Sequence, residues 1–446
     1  MKTFINTFIK GLIVPRIASP FLMADEPVEE RVVKGKVLYA DQVNALKTPT
    51  DIVDVPQSLS IVTDEQIRKQ GIREIGDIVR YTPGVNTSQG EGHRDAVVFR
   101  GVRSTADFYQ DGARDDVQYY RSLYNVEQVE VLRGPNALLF GRGGTGGIIN
   151  RVTKKATLGE SFGSFDIGAN DNGSFDFAAD YNADSGENTA FRVNVHSDSL
   201  ENHRDFFDGD RVGFNPTVKI QMSDATTLDL SYEYADHERF IDRGIPTANG
   251  RPVEALKDVV FGTSDLNLTT LEADIFRGII TTDLSDTSKA IFSLTSSEFE
   301  KMYKNLYASG YDLTTNVVTL DGYYDPTERE NLIFSANLVN ELEIGGATHT
   351  LLIGAEIIDT DNKNVRYDTY WSTTQKDKES FNVSRPLNIA TNSSGVPTSV
   401  DYTTKLKSST TSDIEVTSVY IQDQIDLTDN LVCLLYTSPS PRDLAV

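Results

Sequence analysis

Cysteine is nearly absent: Cys433 is the only one in 446 residues. A single thiol excludes a disulfide framework and any cysteine-based metal site. Histidine is scarce as well, and His93, His196, His203, His237 and His349 stand too far apart for ligand spacing, so no metal site is expected. Basic residues are outnumbered, 42 Lys and Arg against 66 Asp and Glu, and the net charge of −24 disfavours nucleic acid or an anionic membrane surface as a partner. No stretch reaches the 18 or more apolar residues of a membrane-crossing helix. That leaves a β-barrel open, because its strands show lipid only every second side chain. No Ser-His-Asp or paired-carboxylate arrangement is present, so the chain reads as a protein without enzymatic chemistry.

What the sequence does have is concentrated in residues 99–155. Val126, Val129 and Val131 alternate toward Arg133-Gly134-Pro135, a turn that neither a helix nor a central strand accepts. Five glycines then fall within residues 141–147 (Gly141, Gly143, Gly144, Gly146, Gly147), which permits positive φ and close backbone approach, before Ile148, Ile149 and Val152 resume a strand. The run satisfies G-x-G-x-x-G, with Glu160 about 20 residues on. A phosphate loop must open a helix, however, and the β-branched segment after these glycines does not; a P-loop lysine is missing too. A nucleotide site is rejected.

Upstream, residues 58–63 (SLSIVT) alternate as a strand. Thr63 to Gln66 forms a capping box, Ile67 begins an apolar face and Gly71 stops the helix. A second helix is expected over residues 72–80, with Ile75, Ile78 and Val79 on one stripe, ending before Thr82-Pro83. Strands and short helices within about 100 residues make a compact α+β unit.

Residues 126–155 (VEQVEVLRGPNALLFGRGGTGGIINRVTKK), with VVFRGV at 97–102 and FYQDGARDDVQYYR at 108–121, resemble the plug domain of TonB-dependent siderophore receptors of Gram-negative outer membranes. The resemblance covers about residues 54–155 and continues more weakly to about 430. It implies an α+β plug domain followed by an antiparallel transmembrane β-barrel, and a receptor for TonB-dependent uptake of ferric siderophores, with catecholates as one subset. Another cargo, such as cobalamin, haem or an oligosaccharide, would use the same architecture. Its partners would be the ferric siderophore, TonB and outer-membrane lipid. No cofactor is implied, since ferric iron travels inside its siderophore and is not bound by the protein directly.

The resemblance also assigns residues. Loops at 86–95, 103–107 and 114–120 become the outward apices of the plug, and His93, Arg94, Arg114, Gln118, Tyr119, Tyr120 and Arg121 the ligand contacts, through charge-assisted bonds and stacking. Glu30, Arg31, Val32 and Val33, in an exposed extended tract suited to strand addition, become a TonB box, with plain linker as the other reading. Arg100-Gly101 and Arg133-Gly134-Pro135 are structural: the arginines lock onto barrel carboxylates or onto plug acids such as Glu127 and Glu130.

Residues 1–24 read as a secretory signal, 25–53 as a periplasmic segment and 54–155 as the plug. Residues 156–430 hold roughly ten alternating segments, such as Phe175, Phe177 and Tyr181 against Asp176 and Asp180. Plugged transporters need about 22 strands, so the barrel is expected to be incomplete and the chain a fragment. Tyr232, Tyr234, Phe299 and Tyr303 are expected near strand ends as membrane-facing aromatics. Polar stretches at 203–211, 240–269, 302–326 and 362–412 are expected as outer loops. Residues 431–446 break the alternation and read as an anomalous tail.

Overall fold

The structure is a computed structural model and describes residues 47–48, 52, 55, 57–88, 90–134, 146–428 and 431–437. The expected signal segment, the tract Glu30, Arg31, Val32 and Val33, and Pro135, Gly141, Gly143 and Gly144 lie outside the described residues. A first unit, Met1–Tyr39, therefore falls wholly outside them, and everything below belongs to the second, Ala40–Val446.

The N-terminal domain begins with β1 (Ser58–Thr63) and helices α1 (Asp64–Gln70) and α2 (Ile75–Val79). The capping box forms as expected: the Thr63 hydroxyl accepts from the Gln66 amide, the Gln66 side chain accepts from the Thr63 amide, and Gly71 closes α1 at φ 61°. Helix α2 is shorter than expected, but Ile75, Ile78 and Val79 are all buried. Three short strands, β2 (Val85–Thr87), β3 (Val97–Phe99) and β4 (Val102–Ser104), make a small meander. Strands β5 (Phe108–Gln110), β6 (Ala113–Arg114), β7 (Val126–Arg133) and β8 (Gly147–Thr153) join β1 in a sheet ordered β1-β7-β8-β5-β6, with β5 and β8 parallel.

Between this sheet and the helices sit Val62, Ile67, Ile72, Ile75, Ile78, Val97, Phe99, Phe108, Leu123, Val126, Val129, Val131 and Ile149. Gly147 is required there: a Cβ would stand 2.5 Å from the Leu132 carbonyl and 2.6 Å from the Phe99 ring. The Gly134 amide bonds the Gly146 carbonyl at 3.0 Å, joining the end of β7 to the start of β8. A strand, not a helix, follows the glycines, in line with rejection of a nucleotide loop.

The rest of the chain builds one antiparallel sheet. Its strands are β9 (Phe162–Ala169), β10 (Phe175–Asp184), β11 (Thr189–Ser199), β12 (Gly209–Ser223) and β13 (Thr226–Phe240). A small hairpin of β14 (Thr247–Ala248) and β15 (Arg251–Pro252) follows, and then β16 (Leu268–Ser285), β17 (Ser288–Asp312), β18 (Val317–Ile344), β19 (Ala347–Trp371), β20 (Glu379–Asn382), β21 (Val400–Thr428) and β22 (Leu431–Thr437). Neighbours pair in sequence order from β9 to β22, apart from the hairpin and from β20, which adds to β18; among the described residues the path has two ends and does not close. Pairing continues past residue 430, since β22 lies antiparallel to β21.

Side chains alternate strictly across this sheet. One face carries Phe175, Tyr181, Phe191, Phe214, Phe276, Phe292, Phe334, Ile353 and Val419, all exposed. The other carries Asp180, Asn182, Arg192, Asn194, Asp198, Arg211, Asn215, Glu233, His237 and Arg277, all buried. The polar face is covered by the N-terminal domain, which touches strands from β10 to β21, so the sheet wraps around it as a wall.

Links at one end of the wall are two to four residues long (185–188, 224–225, 286–287, 345–346), while 200–208, 241–267 and 372–399 at the other end are longer. Two expectations fail. Residues 302–326 and much of 362–412 are not loops: β17, β18, β19 and β21 run for 25 to 29 residues, where a bilayer crossing takes about nine to eleven. These stretches are the far ends of the strands, where Leu306, Val318, Leu320, Trp371 and Tyr402 turn into a core at uneven spacing and the period-two signal fades. Phe299 and Tyr303 do not face outward either; both are buried against the N-terminal domain.

Above the wall, Leu256, Phe261, Leu306, Val318, Leu320, Trp371, Phe381 and Tyr402 form a separate apolar core among the long links. Aperiodic spacing hides it in the sequence.

Candidate functional site

At the long-link end, a cleft of about 520 Å³ opens between the N-terminal domain and the wall. Helix α2 brings Glu74 and Asp77, the turn before β3 brings Arg94 and Asp95, and the stretch after β6 brings Tyr120. The wall contributes Arg239 from the end of β13, and the long links contribute Arg204, Phe207, Asp242 and Lys257.

The guanidiniums are held, not loose. Arg239 donates to Glu74 at 2.8 Å and lies 4.2 Å over the Tyr120 ring. Arg204 donates to Asp242 at 2.5 Å and to the Val259 carbonyl at 3.1 Å. Arg94 donates to Glu91 at 2.5 Å, while its buried Nε has no partner among the described residues. Arginines fixed by one carboxylate keep further donor edges for a planar anionic or aromatic ligand, and Tyr120 and Phe207 supply stacking surface.

Below the cleft, the loop at 91–95 docks on the wall. The His93 ring stacks on Tyr303 at 3.9 Å, Tyr303 donates to the Glu91 carbonyl at 2.8 Å, and Tyr323 donates to the Glu91 carboxylate. The His93 ring 3.6 Å away, with hydrogen bonds from Tyr323 and Arg94, holds Glu91 well below the usual carboxylate range. Burial lowers His93 to about 3, so it is neutral near pH 7. Burial also pushes Asp95 up to about 6, against the pull of Arg121, and Tyr120 up to about 12.

The predicted contacts separate into three groups. Arg94 and Tyr120 line the cleft, and His93, Tyr119 and Tyr120 line a small pocket beneath it. Arg121 and Tyr119 sit in a closed network instead: Asp115 accepts from Arg121 at 2.8 Å, from Tyr119 at 2.9 Å and from Arg151 at 3.0 Å, and Arg121 is wedged between the Phe108 and Tyr119 rings. Burial opposes the charge on Asp115, but the two arginines outweigh it and hold the carboxyl below its ordinary range. Arg114 turns to Asp116 and Gln118 to Thr105, away from the cleft lining. Arg204, Phe207, Asp242 and Lys257 were foreseen only as parts of long loops, and Arg239 was not foreseen. The sole signal was an arginine at the end of an alternating strand.

The expected locks are corrected as well. Arg133 donates to the Pro83 carbonyl at 2.6 Å and the Ser60 hydroxyl at 2.9 Å, not to a carboxylate. Arg100, at φ 45°, turns the chain between β3 and β4 with Gly101, and no ion pair to it is found among the described residues. Glu130 accepts from Gln128 and Asn150 instead. The locks run mostly in the opposite sense, from wall arginines to acids of the N-terminal domain: Arg277 to Asp111 at 2.5 Å, Arg329 to Asp116 at 2.6 Å and Arg239 to Glu74. Arg73 and Lys154 return the contact to Asp176 and Asp180.

Residues 51–148 match the family model described as the TonB-dependent receptor plug domain. The N-terminal domain is thus a plug domain of the TonB-dependent receptor type. Among relatives, the probable TonB-dependent siderophore receptor PiuA of Acinetobacter baumannii is 26% identical, over 91% of this chain and 58% of that protein. The catecholate siderophore receptor Fiu of Escherichia coli K12 is 30% identical over 47% of this chain and 28% of its own length. In structure, the siderophore receptor PiuA superposes with TM-score 0.74 at 23% identity, covering 87% of this chain and 58% of that one. The chain thus spans somewhat over half the length of PiuA.

Proposed function

We propose that this chain is part of an outer-membrane receptor for ferric siderophores, driven by TonB, with the ligand held in the cleft between plug and long links. The observation that carries the reading is the inverted wall. It is polar inward against a plug and apolar outward, a polarity that suits lipid on the outside and would be unfavourable in water. The names of the relatives support siderophore cargo, and the paired arginines beside Tyr120 suit an anionic, aromatic ferric complex. Iron enters as cargo within that complex, and no bond of the ligand is made or broken. Glu30, Arg31, Val32 and Val33 remain the proposed site of TonB pairing.

Binding is testable on the chain itself. Ferric catecholate should quench its intrinsic fluorescence, and Arg94→Ala with Tyr120→Ala should weaken that binding by roughly tenfold or more, about 1.4 kcal/mol. Ferric hydroxamate, haem and cyanocobalamin run alongside identify the cargo. Preference for either of the last two, or binding untouched by the double variant, removes this assignment. Replacing Val32 and Val33 by proline in the full-length receptor should abolish uptake and spare binding.

A further inference from the structure

The plug meets the wall across two faces of different character. On one, Val117 and Tyr119 press on Ala235, Leu271, Ala273, Ile275 and Phe299, all buried, with the Tyr119 and Phe299 rings 6.0 Å apart. This face is apolar apart from the Tyr119 hydroxyl, which bonds Asp115 and Arg151 within the plug, and from the small pocket that Tyr119 and Leu271 line at its rim. The other lies against β11 and β12. There Gly213 leaves a gap that the Tyr124 ring enters, 2.5 Å from where a Cβ would stand, and Tyr124 stacks on His196 at 5.3 Å.

Unpartnered polar atoms collect at this second face. Fifteen buried side-chain atoms lack a hydrogen-bond partner among the described residues, and six of them are here: Tyr124 Oη, Asn125 Oδ1, both amide atoms of Asn194, His196 Nδ1 and Arg211 Nη1. Asn125, Asn194 and Arg211 are at most 3% exposed. A pocket of about 250 Å³, lined by Tyr124, His196, Asp198 and Arg211 among others, opens beside them. The chemistry selects the occupant. Arg211 Nη1 and the Asn194 nitrogen donate, Asn125 Oδ1 and the Asn194 oxygen accept, and the Asp198 carboxylate stands among them. An anion would meet the acceptors and a cation the donors. Water satisfies both, and a polar pocket of this size has room for several molecules.

We propose that the face between Tyr124–Asn125 and strands β11–β12 is a buried water site, and that the plug parts from the wall along this wet face before the dry one lets go. Groups already bonded to water lose little when the surfaces separate, whereas opening the dry face exposes apolar area.

Two measurements on the whole folded chain decide the matter. Hydroxyl-radical footprinting by X-ray radiolysis, which marks side chains beside bound water, should modify Tyr124 about as fast as the exposed Tyr81 and at least several-fold faster than Tyr119. Protection of Tyr124 equal to that of Tyr119 overturns the water site. In a Cys433→Ser background, the thiol of Ser122→Cys, which lines the pocket of the wet face, should react with a maleimide at lower urea than that of Val117→Cys, on the dry face. Coincident or reversed midpoints overturn the order of opening.

Discussion

Plug and wall solve burial in opposite ways. The plug keeps valine, isoleucine and phenylalanine inside and turns Glu74, Asp111 and Asp116 toward the wall, while Arg121 and Arg151 fold in on Asp115. The wall turns its charges inward and its phenylalanines outward. Each charged surface is covered by the other, so plug and wall serve each other as polar solvent. The difference teaches that an inward charge on a strand is not a folding error when the object it encloses carries the matching sign. Buried arginines here count as part of the contact, and the acids that hold them decide whether they are tolerable.

Four measurements test this contrast, from the largest effect down. Asp115→Ala removes the carboxylate shared by Arg121 and Arg151, leaving Arg121 with Asp95 alone and Arg151 with no ion pair among the described residues, at a cost of about 3–5 kcal/mol. Its heat-modifiable band should vanish or its melting temperature collapse, and a melting temperature like that of the parent would mean that the network is not needed. Phe334→Arg, on the outward face, should cost about 2–4 kcal/mol in a bilayer and little in water-exposed refolding controls. No difference between the two media would remove lipid from the outer face. Gly147→Ala drives a methyl into the Leu132 carbonyl and the Phe99 ring, at about 1–3 kcal/mol by denaturant midpoint.

The smallest effect concerns His93. Its pKa is depressed, so its contribution is complete above the ordinary value near 6.5 and is lost as the pH falls toward 3. Asp95, with a raised pKa, acts the other way, contributing below 3.8 and losing it as the pH rises through about 6. Comparing the parent with His93→Gln from pH 7 to pH 4 isolates the histidine. The parent should lose more stability on acidification than the variant, and parallel curves would show that the stack on Tyr303 is indifferent to charge.

Much of this fold was legible. Thr63, Gln66 and Gly71 announce α1 because capping is local chemistry, and the alternation of residues 175–181 announces a wall strand because one face must differ from the other. Legibility stops where the two faces no longer differ in a regular way. Beyond the plug, Val318 and Leu320 of β18 and Trp371 of β19 pack into the core above the wall at uneven spacing, so period two fades and their hairpins read as loops. The site was half legible for a related reason. Arg94 and Arg121 look alike in sequence, each an arginine at the edge of a polar loop, yet Arg121 has Asp95 and Asp115 within reach and folds inward, while Arg94 remains beside the cleft. That choice is made by partners 6 and 26 residues away.

The core above the wall gives the molecule an optical probe of its own. Trp371 is the only tryptophan in the chain and sits fully enclosed beside Phe381, with ring centroids 5.0 Å apart. Its emission therefore reports on the outer rim and is blind to the stopper beneath. A red shift that precedes release of the stopper during denaturation would mean that the rim melts as an independent cap, and a simultaneous change would make rim and stopper one cooperative body.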